Sequence, residues 1–326
     1  MAMQYSPELE IYLQGFANAD RPWPPPELTN TAGLNWWSAL DWQEQPHLAW
    51  KKLCKALPQL HLPQRNGISG SDLYRQVVLQ GALPTHPELV LAEEVLAAPE
   101  ALTLGIAQHT YLAIPVLSTP NAQDFLYITR ALAHRAEPVQ LDPGVHAQAI
   151  SGLIHWDLIR SLGPHHRVRV IVLHEAPYGS LPHRSLPFSM EERAWIKAST
   201  AWRLEHELTH LSTKLILGEM RLNLLDELIA DAMGQLIAFG HFSAELFCLC
   251  LQQRWRAYTR ELSAQDANLV FALVKERAYE LENARLHWNG SADDRQHLLP
   301  WLCQMRLDQP ITTAPTQPLR NPGYSL

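Results

Sequence analysis

From residue 190 to residue 304 the sequence has the apolar spacing of helices alone, over 190–217, 223–239, 243–261, 264–288 and 293–304. The first two constrain the fold most, because only Leu217-Gly218-Glu219 and a few further residues separate them. The glycine breaks or bends the first helix, and Asn223-Leu224-Leu225-Asp226 has the pattern of a helix start, with an acid three residues after the cap. Helices joined by so short a connection are neighbours in space.

Those helices carry chemistry-bearing residues: the first reads His206-Glu207-Leu208-Thr209-His210, the second Asp226-Glu227-Leu228-Ile229-Ala230-Asp231. Residues four apart share one helical face, so His206 and His210 can aim their imidazoles at a single ion. Glu207 is angled to reach a water at that ion without binding the ion itself, as a general base must. A catalytic zinc has three protein ligands and an open position, which calls for one more donor. If the chain reverses near residues 218–220, about seven residues lead out from His210 and about seven return, at ~1.5 Å each. Glu227 then comes level with His210, and Asp231 level with His206, where it can accept the other ring N–H and fix the tautomer. Should the second helix start only at Leu224, Asp231 competes with Glu227 as ligand.

These residues resemble the gluzincin group of zinc metallopeptidases, which pairs a His-Glu-x-x-His helix with a downstream Glu-x-x-x-Asp helix. The resemblance covers roughly residues 195–240 and implies that His206, His210 and Glu227 bind zinc, that Glu207 activates water and that Asp231 supports a histidine. The gap between His210 and Glu227 is slightly shorter than in thermolysin-like enzymes. The segment from Val168 through Gly234 is also similar to uncharacterised bacterial proteins with the HExxH motif, which implies no substrate.

Hydrolysis builds an oxyanion that needs a hydrogen-bond donor besides the metal. Tyr178 and His183, in the polar loop that leaves Leu173, are the candidates, and Arg203 either faces the cleft or pairs with Glu207. His109, His155 and His165-His166 match no ligand pattern.

The rest of the chain is read more coarsely. The first hundred residues are predicted to be mainly helical, over 7–18, 47–57, 71–80 and 87–98, interrupted by an extended segment at Pro22, Pro24, Pro25 and Pro26. Trp36, Trp37, Trp42 and Trp50 read as fastening an irregular segment to a core. Strands are predicted at 102–106, 111–117 and 167–173, with a helix from Asn121 to His134. Cys248 and Cys250 read as packing in a buried helix, and the four cysteines are too few and too scattered to staple the chain. A net charge of -7 offers no broad basic surface for nucleic acid. No apolar run approaches the ~20 residues that span a bilayer, and Met1–Leu13 lacks the layout of a secretory signal, so a soluble, cytoplasmic protein is expected.

The sequence thus predicts an α+β protein, predominantly helical, with a small mixed sheet packed on a zincin-like HExxH core. The expected regions are 1–100, helical with a Pro/Trp-rich segment; 101–308, metal-binding and catalytic; and 309–326, an arm or disordered tail. The expected function is that of a zinc-dependent hydrolase, a metallopeptidase acting on a peptide or small amide substrate. Two alternatives stay open: a non-catalytic metal-binding interaction protein, marked by a fourth protein ligand, and a biosynthetic metalloenzyme acting on a small molecule in a closed pocket.

Overall fold

The structure is a computed structural model that describes residues 5–23, 33–82, 86–90, 95–252, 254–284, 286 and 292–311, except for the side chains of 292–294. Its helices are α1 (Pro7–Leu13), α2 (Leu34–Ser38), α3 (Pro46–Ala56), α4 (Ala122–Ala133), α5 (Trp156–Leu162), α6 (Glu192–Leu217), α7 (Leu224–Phe239), α8 (Ala244–Leu251), α9 (Ala264–Asn283) and α10 (Ala292–Cys303). The strands are β1 (Thr103–Gln108), β2 (Ala113–Thr119), β3 (Ala147–Leu153) and β4 (Val168–His174). The chain is therefore α+β and mostly helical. Its contacts divide it into two compact units, one of residues 28–176 and one of residues 1–27 with 177–326. The sheet belongs to the former and the HExxH helix to the latter.

In the unit of residues 28–176 the sheet has the order β1-β2-β4-β3, with β2 and β4 parallel and the two outer pairings antiparallel. The inner strands are the apolar ones: β2 is buried throughout, and Val170 to Leu173 of β4 are buried together. Helix α4 packs on this sheet, its start fixed by Asn121, whose side chain accepts from Gln123 N and Asp124 N. Three strands fall within two residues of their predicted positions. β3 was not foreseen, because an outer strand that buries only Ile150 and Leu153 has no apolar alternation to read. Trp37, Trp42 and Trp50 are buried in one core with Leu53, Phe125, Ile128 and Val172, which is the packing role expected of them. The segment 72–79 forms one α-turn that runs into a π-helical turn. Residues 87–90 and 96–98 are not helical: Val90 N donates to His61 O at 2.9 Å, and Ala97 N and Ala98 N donate to the Asp124 carboxylate at 2.6 and 3.0 Å. The remainder of the helix expected over 87–98 lies largely outside the described residues, as does nearly all of the tail from 309.

In the other unit α6 and α7 form the helical hairpin. Gly218, at φ +79°, ends α6, and Leu222 also takes a positive φ, of 51°, so the chain reverses within six residues. Asn223 caps α7 by accepting from Asp226 N at 3.0 Å, while Asp226 Oδ2 accepts from Leu222 N at 3.1 Å. The N-terminal segment braces this connection. Tyr12 Oη accepts from Leu224 N and donates to Tyr258 O, both at 3.0 Å, and Arg221 donates to Ile11 O at 2.8 Å. Cys250 is buried in α8 and Cys248 is half-buried there. The single helix expected over 243–261 is instead α8 followed by one turn at Trp255–Tyr258. Among the described residues no helix is long and apolar enough to cross a membrane.

Candidate metal centre

Helix α6 places His206 and His210 one turn apart, both buried, with their Nε2 atoms facing each other at 3.0 Å. Helix α7 brings Glu227 to the same point: Oε1 lies 3.4 Å from His210 Nε2 and Oε2 lies 3.7 Å from His206 Nε2. One donor atom from each of the three side chains falls within 4.8 Å of the others, a buried group that could hold a metal ion. Although α7 begins only at Leu224, Glu227 and not Asp231 joins the histidines, because residues 218–223 turn the chain outside either helix.

The donor chemistry fits a cation. His206 Nδ1 lies 2.7 Å from Asp231 Oδ1, and His210 Nδ1 lies 3.2 Å from Asp226 Oδ1. An ionised carboxylate only accepts, so Asp231 Oδ1 accepts from His206 Nδ1, and the tautomer with its proton there turns a lone pair inward at Nε2; His210 Nδ1 faces Asp226 Oδ1 without a hydrogen bond, and its Nε2 points to the same place. Glu227 Oε2 is buried without a hydrogen-bond partner beside those Nε2 atoms. The net charge argues likewise. Asp226, Glu227 and Asp231 are three buried carboxylates, and Arg254 is the cation that approaches them, its Nη2 3.6 Å from Asp231 Oδ2 and 3.9 Å from Glu227 Oε2. Among the described residues this leaves negative charge to be balanced by a proton or a metal ion, in a place where unpaired charge is costly. Protons answer the same demand: burial works to lower the His210 pKa, but Asp226 and Glu227 together hold it well above the usual imidazole range. Burial likewise works to raise the Glu227 pKa, and His206, His210 and Arg254 hold it well below the usual carboxylate range.

Asp231 anchors the first histidine firmly. Its Oδ1 accepts from His206 Nδ1, from Trp202 Nε1 at 3.0 Å and from the Tyr178 hydroxyl. Tyr178 stacks on Trp202 with ring centroids 3.9 Å apart, and burial followed by the Asp231 charge pushes its pKa well above 10, so it keeps its proton and donates. The Tyr178 hydroxyl lies 3.0 Å from His206 Nδ1, at the ring edge away from Nε2 and beside the Asp231 carboxylate. The loop is drawn inward at that point because Tyr178 N donates to Ser199 Oγ at 2.9 Å on α6. His183 is half-buried in the one-turn helix His183–Ser185, and none of its described contacts joins it to the three donors. Arg203 is buried, donating to Pro177 O at 3.1 Å with its guanidinium carbon 5.5 Å from the centre of the Tyr178 ring. Glu207 is half-buried, more open than the histidines that flank it.

Asp226, Trp202 and Arg254 were not foreseen as part of this centre. Asp226 read only as the acid of a helix start, and Trp202 stands one turn before His206 with nothing to distinguish it from a core tryptophan. Arg254 follows a helix break that the apolar pattern did not reveal.

The profile of a family described as a family of unknown function (DUF7005) matches residues 6–167 and 164–311. The chain belongs to DUF7005. The match takes in His206, His210, Glu227 and also Asp226, Asp231, Tyr178 and Trp202 around them. No curated protein and no solved structure matches this DUF7005 chain.

Proposed function

We propose that this chain is a zinc-dependent hydrolase, a metallopeptidase of the gluzincin kind, that cleaves an amide bond in a peptide or small amide substrate. The observation that carries the reading is the convergence of two buried imidazoles, the first held by Asp231, and Glu227 on one point, with Glu207 following His206 on the same helix. Two histidines and one glutamate are a donor set that suits catalytic zinc, and three donors leave a position for water. A zinc ion held there supplies Lewis acidity toward a carbonyl oxygen and lowers the pKa of water.

The chain's own residues do the rest. His206 presents Nε2 in a fixed direction because Asp231 holds its opposite edge, which removes the cost of orienting it at each turnover. Glu207, half-buried, takes a proton from the attacking water and passes it to the departing amine nitrogen. Peptides are favoured as substrates by the resemblance of the helix pair.

The test is Glu207→Gln beside wild type, both loaded with zinc, with amine release from a mixture of short peptides as the readout. The variant should keep its zinc and lose activity by about 10²–10⁴-fold. Full activity in Glu207→Gln, or no amine release from zinc-loaded wild type, would overturn the proposal.

A further inference from the structure

We infer that Asp226 is a positioning residue for His210, setting its tautomer and direction as Asp231 does for His206. The inference rests on the metal reading above and adds to it a residue outside the Glu-x-x-x-Asp pattern. Asp226 is fully buried, and its two oxygens have separate tasks. Oδ2 accepts from Leu222 N at 3.1 Å and so fixes the start of α7. Oδ1 lies 3.2 Å from His210 Nδ1, and neither of these two atoms has a hydrogen-bond partner among the described residues.

Consecutive residues of α7 therefore address the two nitrogens of one ring, Asp226 at Nδ1 and Glu227, 3.4 Å away, at Nε2. A carboxylate at Nδ1 admits only the tautomer with the proton on that nitrogen, which leaves Nε2 free to ligate. The pair at Nδ1 is within reach but out of line for a hydrogen bond. Because the same carboxylate holds Leu222, the hairpin connection and the ligand are set together.

Zinc affinity, measured by competition with a chromophoric chelator, tests this in wild type, Asp226→Leu, Asp226→Asn and Asn223→Ala. Asn223→Ala removes the cap of the same helix without touching His210. Both Asp226 variants should bind zinc about 10–100-fold more weakly than wild type, while Asn223→Ala lowers thermal stability and keeps the wild-type affinity within about threefold. In zinc-loaded wild type the His210 Nδ1 proton should give a slowly exchanging NMR signal, and that signal should be absent from Asp226→Leu. Wild-type affinity in either Asp226 variant, or a His210 Nδ1 proton that exchanges freely in wild type, would overturn the inference and leave the metal reading standing. A wild-type protein that binds no zinc would overturn both. Should Asp226→Leu fail to fold, Asp226→Asn and the wild-type signal still decide the matter.

Discussion

Replacing Gly234 with alanine puts a methyl group where α7 presses on Trp202. A Cβ at residue 234 would lie 2.2 Å from Trp202 Cδ1, 2.6 Å from Trp202 O and 2.9 Å from Trp202 Nε1. Distances this short cannot be absorbed by a side-chain tip, since one of the atoms is backbone. Either α6 and α7 move apart or the indole turns, and both loosen the 3.0 Å bond from Trp202 Nε1 to Asp231 and the stacking on Tyr178. Overpacking a core costs about 1–3 kcal/mol, and a lost hydrogen bond to a charged group about 1.5–3 kcal/mol. Alanine in place of glycine in a helix returns about 1 kcal/mol. The net is a loss of about 1.5–5 kcal/mol, a fall in melting temperature on the order of 3–20 °C for a unit of this size. Zinc affinity should fall with it, because Asp231 loses one of the donors that hold it against His206. Calorimetric scans with and without zinc measure both effects. A Gly234→Ala protein that melts at or above the wild-type temperature and binds zinc as tightly would refute the reasoning.

Two further outcomes follow from the same contacts. Tyr178→Phe removes the hydroxyl that donates to Asp231, and should weaken zinc binding about 10–100-fold. An oxyanion role would instead lower the turnover of zinc-saturated enzyme and leave affinity unchanged, so the two readouts together decide where the hydroxyl acts. In the unit that holds the sheet, His155 is buried, accepts from Leu158 N at 3.3 Å and has its pKa lowered to about 4, chiefly by burial. A histidine kept neutral by the fold contributes its full stability above the unfolded value of about 6.5 and loses it as pH falls toward 4. Between pH 7 and pH 5 that amounts to roughly 2 kcal/mol. Urea titrations of wild type and His155→Asn, which keeps a capping acceptor, should differ in their pH dependence by that amount, and equal slopes would contradict it.

The metal centre was largely legible because its spacing follows from helical geometry alone. His206 and His210 on one helix, and Glu227 and Asp231 on the next, repeat every four residues, so a short connection brings them together. What the pattern could not show are contacts set by loops and by distant residues. Tyr178 follows a strand, and its hydroxyl reaches Asp231 from a loop whose backbone is bonded to Ser199, neither of which the pattern marks. Arg254 arrives through a break after Leu251 that no proline or glycine marks. In the sheet, β2 and β4 announced themselves through continuous apolar runs, whereas β3 is ordered by pairing with β4 and offers little apolar surface of its own.

The zinc content of purified protein, measured by atomic emission after dialysis against a weak chelator, bears most directly on the claim that two imidazoles and Glu227 hold one ion. Wild type should retain about one zinc per chain, and His210→Ala and Glu227→Ala should retain almost none while still giving a cooperative melt. Metal-free wild type, or full zinc retention in both variants, would contradict the account.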